Sequence, residues 1–187
     1  ASLRAIHRHA GGNPLFVEEL CRSLPVDLSL DDPSLWLRAP PSTVQGVIQS
    51  RVAGLPKIEA HVLSVAAVIG IEFSSSLLAR VLPHEQLPSL RATLARGDLV
   101  LATDEPDTYR FKHGITREVI YESVRIAERR RIHRSLAHAL FTSVSPDRYG
   151  EHAEALAYHF RGGGEYERAA EFAEIAGAKA LATSALD

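Results

Sequence analysis

Residues 99–123 read LVLATDEPDTYRFKHGITREVIYES, and the pattern changes twice along them. Two short β-prone runs, 99–103 and 108–112, flank Asp104-Glu105-Pro106-Asp107, which predicts a β-hairpin with a turn-forming centre. Directly after Phe111 and Lys112 the segment from Gly114 takes up helical spacing, so His113 falls at a strand-to-helix corner. A helix N-terminus leaves backbone N–H groups unpaired and carries a partial positive charge, which suits an anion such as a phosphate. Arg110, Lys112 and Arg117 add charge of the same sign nearby. Two readings of His113 follow: a nucleotide-phosphate sensor at a domain junction, or a half-buried ring that fills a corner.

Upstream of the hairpin the sequence predicts helices. Ser42 or Thr43 caps one with Val44, Val47, Ile48 and Val52 inward, ending near Gly54. Pro56 starts the next, whose VLSVAAVIG run is apolar nearly all round and therefore central and buried. Leu77, Leu78, Val81 and Leu82 mark a short third helix, and Leu87, Leu90 and Leu94 a fourth, closed by Gly97. Helices followed by a two-stranded wing are the order of a winged-helix domain, placed at about 42–125. Nearer the start, Leu3, Ile6 and Ala10 predict a helix stopped by Gly11-Gly12, and Asn13-Pro14 restart one as cap and first helical residue. Phe16, Val17, Leu20, Cys21 and Leu24 form its stripe, with Glu18-Glu19 complementing the dipole. Residues 26–41, with Pro33, Pro40 and Pro41, read as a connecting loop.

Downstream, a long helix is predicted over about 126–144, with Ile132, Leu136, Ala137 and Leu140 inward and arginines outward. Two more follow, about 150–161 and 165–183, separated by Gly162-Gly163-Gly164. The last carries Ala169, Ala170, Ala173, Ala176 and Ala180, small residues that let helices approach closely. Such a pair is the unit of an α-solenoid, and one unit cannot bury both of its faces, so further repeats are expected beyond it. The fold class is thus mainly α: residues 1–41 as helices and linker, 42–125 as a winged helix, 126–187 as a helical extension with a first tetratricopeptide-like repeat.

At 187 residues, 45% apolar and 24% charged, the chain can bury a core, and its net charge of −2 excludes polyanion binding by bulk electrostatics. No apolar run reaches the roughly 18–20 residues that cross a bilayer, and no signal peptide is legible. Cys21 has no intrachain partner, so a cytoplasmic location is expected. Methionine is absent even at position 1, so the chain reads as a piece of a longer protein.

There is little catalytic equipment. No G-x-x-x-x-G-K-[ST] loop occurs, nor a G-x-S-x-G elbow, and a lone cysteine removes cysteine-rich zinc frameworks. Among the histidine pairs His7/His9, His133/His138 and His152/His159, only His133/His138 approaches the spacing that puts two rings on one helical face, so no metal site is expected. Arg125, Arg129, Arg130, Arg131 and Arg134 could meet DNA phosphates. They follow the wing, however, and the segment where a recognition helix belongs carries only Arg91 and Arg96. A solvated face, or a dock for an acidic neighbour, is the better reading.

Two separated motifs nevertheless resemble one family. Gly12-Asn13-Pro14-Leu15-Phe16-Val17-Glu18-Glu19-Leu20 resembles the glycine-x-proline motif in the helical lid of signal-transduction ATPases with numerous domains. Tyr109-Arg110-Phe111-Lys112-His113, with Arg117-Glu118 and Tyr121, is similar to the winged-helix signature of the same family. The nearest flavour is the ATPase module joined to class III adenylate cyclases or LuxR-type regulators. The resemblance implies that Pro14 packs on the adenine of ATP/ADP and that His113 contacts the ADP β-phosphate. It implies as partners a P-loop ATPase domain and an effector domain of the same protein, plus a protein partner on the repeats. Many relatives place an aspartate after the histidine, where Gly114 stands here. The competing expectations are a DNA-binding winged-helix regulator and a passive interaction scaffold.

Overall fold

Thr43 opens the first continuous helix among the described residues, its Oγ1 accepting the Gly46 amide at 3.1 Å. The computed structural model describes residues 13–15, 17–18, 43–96 and 99–184. The helix expected at 2–10, most of the 16–24 stripe, the loop at 26–41 and Gly97 lie outside these residues. Within them the chain is mainly helical, with one small sheet. The order is α1 (Val44–Ala53), α2 (Lys57–Ile69), β1 (Glu72–Ser74), α3 (Ser75–Val81), a 3-10 turn (His84–Gln86) and α4 (Leu87–Arg96). Then come β2 (Val100–Ala102), β3 (Thr108–Phe111), α5 (Gly114–Ser123), α6 (Ile126–Ser143), a second 3-10 turn (Pro146–Arg148), α7 (Tyr149–Gly163) and α8 (Tyr166–Ser184).

Helix α2 is central, as its apolar run requires: Val62, Leu63, Val65, Ala66, Ala67 and Val68 are all buried. It packs against α4, α5 and α6. The sheet is antiparallel with strand order β1-β3-β2, Phe73 facing Tyr109 across one pair and Val100 facing Phe111 across the other. The expected hairpin is present, and β1 joins it as a third strand. The sequence hid β1 because only three residues pair, and only Phe73 of them is buried.

Asp107 shapes the hairpin turn with φ 62°, a conformation that Asp tolerates better than most residues. Its carboxylate accepts from Ser74 Oγ at 2.8 Å, from the Ser76 amide at 3.2 Å, and from the Ser75 hydroxyl. These bonds, led by that of Ser75, hold its carboxyl down to about 2.

Helix α6 belongs to two cores. Ile132 and Leu136 join the cluster built on α2, while Ala137 joins Ala153, Leu156, Phe160, Ala169 and Phe172 of α7 and α8. Gly162 and Gly163 lie inside α7 rather than between helices, and Gly164, at φ 85°, is the left-handed cap. A Cβ on Gly162 would stand 2.6 Å from the His133 ring, and one on Gly163 3.0 Å from Arg134 Cα, so both glycines are what lets α7 lie against α6. Among the described residues no helix is long and apolar enough to cross a membrane.

Candidate functional site

His113 is the N-cap residue of α5, in extended backbone conformation and with no side-chain capping bond. The corner is fixed from both sides: the Phe111 amide donates to Ile71 O at 2.9 Å and the Lys112 amide to Leu99 O at 2.9 Å. Beyond it the Thr116 amide donates to His113 O at 3.0 Å, which starts the helix. The His113 ring is about 30% exposed, so it is neither walled in nor free. Its Nε2 is shielded from water and makes no hydrogen bond, and Thr116 Oγ1, one turn on, is a second buried polar atom without one. Buried polar atoms are ordinarily satisfied, so two such atoms in one helical turn need explaining.

The turn that begins at Asn13 meets this corner. Asn13 Oδ1 accepts the Leu15 amide at 3.0 Å, and Val17 donates to Asn13 O at 3.0 Å, so Asn13 caps and Pro14 takes the first helical position, as the sequence predicts. Val17 packs with Val44 and Val47 of α1. Four residues after Pro14, which is exposed, Glu18 reaches the corner. Its Oε1 pairs with Lys112 Nζ, and its Oε2 stands 3.4 Å from His113 Nε2, near enough for an ion pair but off the line of a hydrogen bond. The segments carrying Pro14 and His113 are thus joined in space, with Glu18 as the bridge. The sequence reads Glu18 as a dipole-complementing residue of its own helix; its position in the Gly12–Leu20 motif is the available signal.

Two residues expected at the corner belong elsewhere. Arg117 turns inward: its Nε donates to Ala67 O at the end of α2 at 2.7 Å, and its guanidinium lies 4.6 Å over the Tyr121 ring. Arg110 is an exposed strand residue facing Glu72 and Leu101 across the sheet. Lys112 and His113 with the start of α5 therefore form the donor set, and a set of this chemistry fits an anionic oxygen cluster such as a phosphate.

A second polar cluster fills the seam of α5, α6 and α7. His133 and His159 are both buried, with Nδ1 atoms 3.0 Å apart, and His133 Nε2 stands 3.4 Å from the Tyr121 hydroxyl. Burial, with Arg117 and Arg129 adding repulsion, pushes His133 down to about 4; burial and the neighbouring ring push His159 down to about 3. Burial also raises the Tyr121 phenol, with the Tyr158 phenol acting in the same direction. Sequence spacing groups His133 with His138 and His159 with His152. No spacing rule reaches across the 26 positions between the true partners. Among the described residues no group of three or more potential metal ligands occurs.

The arginines of 125–134 are largely fasteners. Arg129 lies 4.7 Å over Tyr121, Arg130 reaches Tyr166 Oη at 3.5 Å, and Arg134 donates to Gly163 O at 2.9 Å. Arg131 pairs with Glu128 on its own helix at 2.6 Å.

No protein-family model matches the chain, and no solved structure matches it. The chain is 31% identical over 194 residues to an uncharacterized protein of Rhizobium meliloti (strain 1021), an alignment taking in 97% of this chain and 18% of that relative. The chain thus spans less than a fifth of the length of the relative it matches.

Proposed function

We propose that this chain is a regulatory segment of a multidomain signalling ATPase, in which ATP/ADP state is read at the His113 corner and passed to the helices behind it. One observation carries the reading: the two motif segments, 99 positions apart from Pro14 to His113, converge through Glu18 on Lys112 and His113. A passive scaffold gives no reason for these segments to meet. On this reading the β1-α3-α4-β2-β3 order, led by α2, is a winged helix, and α7 with α8 is a tetratricopeptide-like pair.

The residues divide the work as follows. Lys112 and His113 hold the β-phosphate of ADP, and Pro14, on the exposed side of its turn, packs on the adenine. Bound nucleotide supplies the phosphate charge that distinguishes the two states. Helix α5 starts at the contact and packs on α1 and α2, while α6 leads from it to α7, so α5 and α6 carry movement at the corner outward. Nucleotide identity shifts such a balance only by its differential affinity for the two arrangements. The P-loop and magnesium ligands, with the effector domain and any signal-bearing partner of the repeats, belong to other parts of the protein.

The test is ADP retention by the longer natural chain. His113→Ala should speed ADP dissociation by roughly tenfold or more, the loss of one charge-assisted contact. Unchanged dissociation counts against the reading.

A further inference from the structure

Glu18 takes one of the two groups that the proposed phosphate contact requires and stands beside the other. Its Oε1 pairs with Lys112 Nζ and its Oε2 lies 3.4 Å from His113 Nε2. To these donors a carboxylate and a phosphoryl group offer the same thing, oxygens sharing negative charge at hydrogen-bonding spacing. The contact is tertiary, since 94 positions separate Glu18 from Lys112. It is made by the turn from Asn13, whose Val17 rests on α1. The three side chains are about a quarter to a third exposed, while His113 Nε2 itself is covered, so an incoming anion reaches Lys112 first and that nitrogen only as Glu18 moves off.

We propose that Glu18 is an intramolecular competitor for phosphate: its carboxylate latches the Asn13–Glu18 turn onto the start of α5, and an anion that takes Lys112 and His113 must displace it. The inference rests on the nucleotide reading of the same corner and adds the residue that sets its threshold. Displacement couples two events, because the oxygen that leaves Lys112 belongs to the turn carrying Pro14. A partly exposed ion pair has modest net strength, so the latch raises the threshold without closing the site permanently.

The test uses the 187-residue chain at low ionic strength, with pyrophosphate and ADP as probes and the His113 imidazole NMR signals as readout. Glu18→Gln should bind pyrophosphate roughly fivefold more tightly than wild type, and adding Lys112→Gln should abolish the gain. The charge-reversed pair Glu18→Lys with Lys112→Glu keeps the attraction. It should retain wild-type hydrogen-exchange protection at Leu15 and Val17 while losing pyrophosphate binding. Equal affinity in wild type and Glu18→Gln overturns the latch. Absence of binding in both at millimolar probe also overturns it, since nothing would then compete with the carboxylate. Neither result touches the nucleotide reading, which stands or falls on ADP retention by the longer chain.

Discussion

His133 and His159 face each other through Nδ1 atoms 3.0 Å apart, both rings buried where α6 crosses α7. One Nδ1 must donate and the other accept; a proton on the accepting Nδ1 destroys the bond, and a proton on either ring places a charge in the buried seam. This contact joins the core built on α2 to the core of α7 and α8.

Acid should therefore loosen the seam. Both folded-state values are depressed, to about 4 and about 3, against about 6.5 in an unfolded chain. The unfolded state thus binds more protons below about pH 6.5, and stability, full above it, falls as pH drops through the folded values. The expected slope in that window is about 1.4 kcal/mol per pH unit for each proton taken up. Urea unfolding at pH 7, 6, 5 and 4 measures it; in a His133→Phe/His159→Leu variant the slope should flatten. An unchanged slope in that variant would show that the acid sensitivity arises elsewhere.

Gly162→Ala and Gly177→Ala should act in opposite directions. A methyl at 162 meets the buried His133 ring at 2.6 Å, and forcing it in should cost about 1–3 kcal/mol. At Gly177, in α8, a Cβ meets nothing within 4 Å, so alanine should gain up to about 1 kcal/mol from helix propensity. Thermal or urea denaturation of the two variants decides the matter, and equal effects would contradict the close packing of α6 and α7.

Asp107→Asn should weaken the junction of the hairpin with α3. The carboxylate collects bonds from Ser74, Ser75 and the Ser76 amide, and it is exposed, so the loss is discounted for solvent to about 1 kcal/mol. The sign with pH follows from the lowered value: its contribution is present above about pH 3.9 and disappears as pH falls toward about 2. Asparagine tolerates the turn conformation. A stability profile between pH 5 and pH 2 that matches wild type would refute this role for the carboxylate.

Duplex DNA should give a flat titration. Arg129, Arg130, Arg131 and Arg134 are engaged by Tyr121, Tyr166, Glu128 and the Gly163 carbonyl. Extracting Arg129, Arg130 or Arg134 would loosen α6 from its neighbours, and freeing Arg131 would break its pair with Glu128. Fluorescence anisotropy with a labelled duplex at low salt checks it, since phosphate-driven binding would appear there first and fall steeply with added salt. A tight, salt-sensitive isotherm would restore the DNA-binding alternative.

Where sequence reading succeeded, the signal was local. The VLSVAAVIG run is buried because a helix apolar on all sides has nowhere else to go. Thr43 and Asn13 cap because their oxygens reach amides two or three residues on. Where it fell short, the missing information lay far away in the chain. The triple glycine reads as a breaker, yet two of its members lie inside α7, where the lack of a side chain leaves room for His133 and Arg134 of α6. Arg117 reads as a phosphate neighbour, yet the Ala67 carbonyl at the end of α2 takes it.

By itself, then, the sequence determined the helical periodicity, the caps and the hairpin, together with the placing of a histidine at the start of a helix. All of these follow from interactions spanning a few residues. Only the tertiary structure decided that Glu18 would sit by Lys112 and His113, that His133 would find His159, and that Arg129, Arg130 and Arg134 would turn to rings and a carbonyl of neighbouring helices. Such pairings depend on how whole helices cross, and crossing is settled by burial summed over many side chains, which no local spacing records.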